Sequence, residues 1–206
     1  LRGLEVQADR VTSSVMRIGK ECFMSILEFF AFITSLIGVI LGVLGPRITW
    51  PWWGVSSFLY AILFFQSQFY ASAALQFIFI AGGIWGWFGW GPKGVKPRKS
   101  TVKERITAIS ILTAASVAIW PLLINIGAAS SAIESFGFVG SVIAQWLMVW
   151  QRFEAWPLWV IVDLAYSYQY FRGDLYLTGF LYLVFTTIAI WGWVRWYRES
   201  EKFKND

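Results

Sequence analysis

The sequence has no histidine and a single cysteine, Cys22. Without imidazole there is no histidine metal ligand and no histidine acid–base catalysis. One cysteine excludes an intrachain disulfide and a Cys-rich metal centre. Most intramembrane enzyme classes lose their usual residues at once, so no catalytic residue, metal or cofactor is expected. Charge is also scarce, at 14% of 206 residues, where soluble domains carry roughly 25%. The net charge of +5 reads as a membrane-topology signal rather than as a nucleic-acid surface.

What fills the space is apolar: 57% hydrophobic and 19% aromatic residues. The apolar runs reach the ~18–20 residues that cross a bilayer. The fold class expected is an all-α integral membrane protein with seven spans, at about 24–44, 48–67, 70–90, 106–126, 131–150, 154–171 and 174–194. A polar segment, 1–23, precedes them with no long apolar core, so no signal peptide is evident. The lack of an initiator Met points to a trimmed or processed start. A polar tail, 197–206, follows the last span.

Only one connection is long and basic, GPKGVKPRKSTVKER at 91–105. With seven spans, one membrane face holds Arg2, Arg10, Arg17, Lys20 and Arg172, five of the 17 basic residues. The other face holds the remaining twelve. The positive-inside rule puts that second face in the cytoplasm, with the N-terminus outside and the C-terminus inside. A contact of the basic loop with anionic headgroups is compatible with this.

The stretches IWGWFGW (84–90) and IWGWVRW (190–196) lie 106 residues apart. At that offset Trp50-Pro51-Trp52-Trp53 falls on Trp156-Pro157-Leu158-Trp159, Tyr60 on Tyr166, and Glu28 on Glu134. Without a gap, 21 of the 66 positions 25–90 are identical, which marks internal duplication. Spans one to three (24–90) recur as spans five to seven (131–196). Four crossings separate each matched pair, so the copies run parallel, and the segment 91–130 supplies the basic loop and a linker helix.

This 3+1+3 plan resembles the SWEET-type carriers. The stretches QWLMVWQRFEAWPLWVIVD, YLTGFLYLVFTTIAIWGWVRW and YASAALQFIFIAGGIWGWFGW are similar to the PnuC family of nicotinamide riboside and vitamin transporters, over about 24–196. The most specific piece is the WxxW of Trp156 and Trp159, followed by Asp163. The resemblance implies facilitated diffusion of a vitamin-like substrate across a bacterial inner membrane. It further implies trapping by cytoplasmic phosphorylation and a homo-oligomer, a trimer among the options.

The residues carry their own argument. Trp156, Trp159 and Asp163 are spaced i, i+3 and i+7 and share one helix face. Asp163 falls near the bilayer midplane, where a carboxylate costs about 2.5–3.5 kcal/mol even on the lenient insertion scale. No Lys or Arg lies in the middle of any span. Asp163 is therefore protonated, hydrogen-bonded as a neutral acid, or awaiting a cation that the protein does not supply. A pyridinium or thiazolium ring is such a cation, and a tryptophan face attracts one by about 2 kcal/mol when desolvated. Nicotinamide riboside and thiamine are the obvious candidates.

Positions that differ between the copies extend the candidate set: Asp163 against Ser57, Gln145 against Val39, and Gln76 against Tyr182. Gln145 and Gln76 are mid-span amides that need partners in lipid. Trp53, Tyr166 and, near the end of span four, Asn125 complete the substrate-binding candidates. For Gln76 a helix–helix hydrogen bond competes with ligand contact.

Plainer roles stand beside these. Trp85, Trp87, Trp90, Trp191, Trp193 and Trp196 read as interfacial anchors. Pro51 and Pro157 read as helix starters, and Glu28 and Glu134 as interfacial residues. Competing functions are uptake of thiamine or another vitamin or nucleoside, proton or sodium coupling through Asp163, Glu28 or Glu134, and a non-transporting scaffold or receptor. An asymmetric polar interior argues against the last.

Overall fold

The computed structural model describes residue 19 and residues 26–66, 70–125, 131–172 and 176–202. Apart from residue 19, the expected polar segment 1–23 lies outside them, Cys22 included. The described chain forms seven helices: α1 (Ile26–Leu44), α2 (Thr49–Gln66), α3 (Tyr70–Trp90), α4 (Val102–Asn125), α5 (Ser131–Val149), α6 (Ala155–Arg172) and α7 (Tyr176–Lys202). Among the described residues no strand forms, only an isolated bridge between Arg98 and Arg152.

Five of the helices, α1, α3, α4, α5 and α7, are long and apolar enough to cross a membrane. The exceptions, α2 and α6, are the two that open on Trp-Pro. Their tryptophans, tyrosines and polar residues lower the mean hydropathy, and several of them line an internal cavity.

Helix α4 begins four residues before the expected start. A capping box explains it: the Glu104 amide donates to Thr101 Oγ1 at 3.2 Å, and the Thr101 amide to Glu104 Oε2 at 2.7 Å. Helix α4 leans on α5 and buries no residue. Helix α7 runs eight residues past the expected end, with an Arg195–Glu199 pair at 3.1 Å along its last turns.

The basic loop is more than a charge signal. The Arg98 amide donates to the Gln151 carbonyl at 2.8 Å and the Phe153 amide to the Arg98 carbonyl at 3.1 Å. Glu154 accepts from the Ser100 amide, the Ser100 hydroxyl and Arg105. Arg152 reaches Glu104 at 2.6 Å, and Lys99 pairs with Glu201. The segment is a strap that ties the α3–α4 connection to the α5–α6 turn and the end of α7.

Contacts recur at the 106-residue spacing. The ring of Trp50 lies where a Cβ on Gly86 would be, and the ring of Trp156 would stand 2.5 Å from a Cβ on Gly192. Trp90 packs edge-on against Trp50 at 4.7 Å between ring centroids, and Trp196 against Trp156 at 5.6 Å. Trp90 and Trp196 also meet, at 5.7 Å. These four rings plug the strap end of the bundle.

The anchor reading of the WGW stretches is corrected here for two residues. Trp90 and Trp196 are 3% and 0% exposed. Three tryptophans at i, i+2 and i+5 cannot share one helix face. Trp85, Trp191 and Trp193 stay exposed, and Trp87 is covered by the guanidinium of Arg47, 3.9 Å above its ring.

Candidate functional site

Between the two halves lies a cavity of about 510 Å³. Its walls are paired residues 106 apart: Ser35 and Ser141, Trp53 and Trp159, Ser57 and Asp163, Tyr60 and Tyr166, Phe64 and Tyr170, Gln76 and Tyr182, Phe79 and Phe185. It reaches exposed Glu28 and Phe29 at the end of the bundle opposite the strap. Trp156 and Ala189, 1% exposed each, belong to its floor. Beneath them stands the tryptophan plug.

The middle of the cavity is an aromatic slot. Trp53 and Trp159 face each other at 6.4 Å with their planes 41° apart, and Phe79 meets Trp159 edge-on at 6.0 Å. The Trp159 indole N–H is buried with no hydrogen-bond partner, an uncompensated donor. Along α6 the stripe Trp156, Trp159, Asp163, Tyr166, Tyr170 follows helical spacing, so one face of one helix supplies much of the wall.

The two walls differ in polarity. Asp163, 5% exposed, stands where the first half has Ser57. Among the described residues no salt bridge reaches it. Tyr166, Tyr170 and Tyr182 cluster beside it, with centroids 5.1–6.0 Å apart. On the opposite wall Tyr60 stacks on Phe64 at 5.4 Å and 23°, mirroring Tyr166 on Tyr170 at 6.0 Å and 23°. A flat ring can pack against the indoles here, with carboxylate, phenols and the Gln76 amide available for its polar groups.

Of the residues singled out from sequence, Trp53, Gln76, Trp156, Trp159, Asp163 and Tyr166 line the cavity. Gln145 and Asn125 are not brought to it. Gln145 is 1% exposed, packed against Gly82 of α3. Asn125 is exposed at the end of α4, the helix that leans outside the bundle. Glu28 lines the cavity mouth, and Glu134 accepts from Gln169 at 3.3 Å. Sequence reasoning missed Tyr60, Tyr170 and Phe185 as lining residues. For Tyr170 a signal existed, because it extends the Asp163 stripe by two turns of α6.

A bundle with five membrane-length helices around a cavity plugged at one end has the architecture of a small-molecule carrier. The particular kind follows from comparison with known proteins. The nicotinamide mononucleotide transporter family matches residues 25–198, and the chain belongs to that family. It is similar to the riboflavin/roseoflavin transporter RibM of Streptomyces davaonensis, 26% identical over 180 residues, covering 82% of this chain and 84% of that one. It is similar to the nicotinamide riboside transporter PnuC of Escherichia coli, 26% identical over 176 residues, covering 70% and 73%. Its fold matches the crystal structure of the vitamin B3 transporter PnuC with a TM-score of 0.71 at 19% identity, covering 86% and 83%. Membership of that family makes the protein a membrane transporter of this fold.

Proposed function

We propose that this protein carries nicotinamide riboside across a bacterial inner membrane by facilitated diffusion, with cytoplasmic phosphorylation trapping the substrate. The strap end then faces the cytoplasm and the N-terminus lies outside. Two three-helix units, 24–90 and 131–196, act as the halves that move against each other about the linker helix, in a homo-oligomer.

One observation carries the substrate: Asp163 is a buried carboxylate, unpaired by any described cation, beside an indole slot. Burying an anion is costly unless a cation compensates it, and a pyridinium ring does so while stacking on Trp53 and Trp159. In this reading Tyr166 and Gln76 take the ribose or carboxamide, and Trp156 supports the ring from the floor.

The test is calorimetric titration of the purified protein with nicotinamide riboside, nicotinamide, nicotinamide mononucleotide, thiamine and riboflavin. Nicotinamide riboside should bind at micromolar affinity or tighter. Thiamine winning keeps the site and changes the cargo. Riboflavin, the neutral ligand named for one relative, winning the screen would remove the charge-compensation role of Asp163. Uptake into proteoliposomes should stop at equal concentrations inside and out, and accumulation abolished by an uncoupler would replace facilitated diffusion with ion coupling.

A further inference from the structure

The strap is held by two matched turns. Gly45 follows α1 and Gln151 follows α5, 106 residues later, and both have positive φ, 84° and 61°. Each turn offers its carbonyl to the strap: the Val95 amide donates to Gly45 and the Arg98 amide to Gln151, both at 2.8 Å. One turn belongs to the first half and the other to the second, so the strap crosses the seam between them.

The crossing has no slack. Val95 holds the first half, while the next residue, Lys96, already donates its amide to Gln151 Oε1 at 2.7 Å. The two moorings differ in strength. On the second half, Arg98 exchanges backbone bonds with Gln151 and Phe153, Lys96 adds its own, and the Ser100 amide donates to Glu154. On the first half there is one backbone bond, Val95 to Gly45, with the Val95 side chain packed over the glycine and against the tryptophan plug. Each neutral hydrogen bond contributes a similar small net amount, so the single one yields first. Behind it lies stored length. Residues 91–94 form a turn closed by the Gly94 amide on the Gly91 carbonyl at 3.3 Å, with positive φ at both glycines. Straightened, such a segment spans at most roughly 3.3–3.6 Å per residue.

We propose that the Val95–Gly45 contact is a latch on the strap end. The halves part there once it releases, and residues 91–95 straighten to span the gap while 96–101 stay on the second half. The inference rests on the transport reading above, because a cavity that opens opposite the strap must also open at the strap to pass a substrate through. Reclosing the latch returns Val95 to the cluster that holds Trp90 and Trp196, so latch and plug shut together.

The experiment bolts the latch with a disulfide. A Cβ on Gly45 would stand 3.3 Å from the Cβ of Val95, near the ~3.5–4.5 Å of disulfides. Gln151 shows that the matched turn carries a side chain at positive φ. Gly45→Cys and Val95→Cys are combined with Cys22→Ser in the full-length protein, and thiol titration follows closure. Kd for nicotinamide riboside should stay within about twofold in both redox states. Initial uptake into proteoliposomes should fall about tenfold or more on oxidation and recover with dithiothreitol, a split between binding and rate. Uptake equal in both states overturns the latch, as does a Kd that weakens on oxidation. Gly94→Ala decides independently where the double variant does not fold or close. A Cβ there would stand 2.5 Å from the Gly45 carbonyl oxygen, so it loosens the latch, and Gly94 is not a cavity-lining residue. Its uptake should rise about twofold or more with Kd unchanged, and unchanged or slower uptake overturns the proposal. An unaltered protein that neither binds nor imports nicotinamide riboside refutes the transport reading and the latch with it, whereas normal import that oxidation leaves intact refutes the latch alone.

Discussion

Trp196 of α7 donates its indole N–H to the backbone carbonyl of Val43 of α1, at 3.1 Å and 153 residues apart in the chain. Trp90 of α3 makes the reciprocal bond to Met148 of α5 at 3.3 Å. Each half thus reaches into the other with the last tryptophan of its WGW stretch. The two bonds staple the halves together at the strap end.

Removing either staple while keeping an aromatic ring isolates the bond. Trp196→Phe and Trp90→Phe should each lose about 1 kcal/mol, the net worth of one hydrogen bond, plus a smaller packing loss. Differential scanning fluorimetry in detergent should show a lower melting temperature for each, and a larger drop for the pair. A melting temperature equal to that of the unaltered protein would mean that the indole N–H groups contribute nothing.

The glycines under Trp50 and Trp156 separate stability from binding. Gly86→Ala and Gly192→Ala each drive a methyl into a fully packed indole, costing about 1–3 kcal/mol or more. Both should melt lower. Only Gly192→Ala displaces a residue of the cavity floor, so only it should also weaken substrate binding in calorimetry at a temperature where both variants are folded. Equal binding by the two would detach Trp156 from the site.

Asp163→Asn removes a charge and keeps the shape. Nicotinamide riboside affinity should fall about ten- to hundredfold, the range expected for losing a desolvated cation partner at 1.4 kcal/mol per decade. The empty protein should melt no lower, because an uncompensated buried carboxylate costs more than an amide. A lower melting temperature with unchanged affinity would make Asp163 a structural residue.

The strap predicts a local effect. Glu154 gathers the Ser100 amide and hydroxyl and the Arg105 guanidinium. Glu154→Ala frees those donors and should expose the 91–101 connection to limited proteolysis, with cleavage about tenfold faster. Affinity should stay within about twofold, since Glu154 does not line the cavity. Weakened binding without faster cleavage would contradict this role.

Much of the site was legible because α6 displays it on one face. Trp156, Trp159, Asp163 and Tyr166 follow helical spacing, and their first-half counterparts Trp53, Ser57 and Tyr60 stand at a constant offset. Gln145 was harder to place. Mid-span amides look alike in a sequence, yet Gln76 lines the cavity and Gln145 packs against Gly82 outside its lining, a difference that depends on how α3 and α5 pack. Asn125, near the end of span four, falls outside the site because α4 leans outside the bundle and buries no residue.

The seven helices, the 106-residue echo and the unmatched carboxylate come from the chain itself, because helix-forming length, identity at a fixed offset and charge are local properties. The tertiary structure decided which tryptophans stay on the outer surface and which pack on each other. It made Trp90 and Trp196 the bolts of a plug and Trp53 and Trp159 the walls of a slot. The same side chain serves any of these ends, and only the packing of the two halves determines which surface it meets.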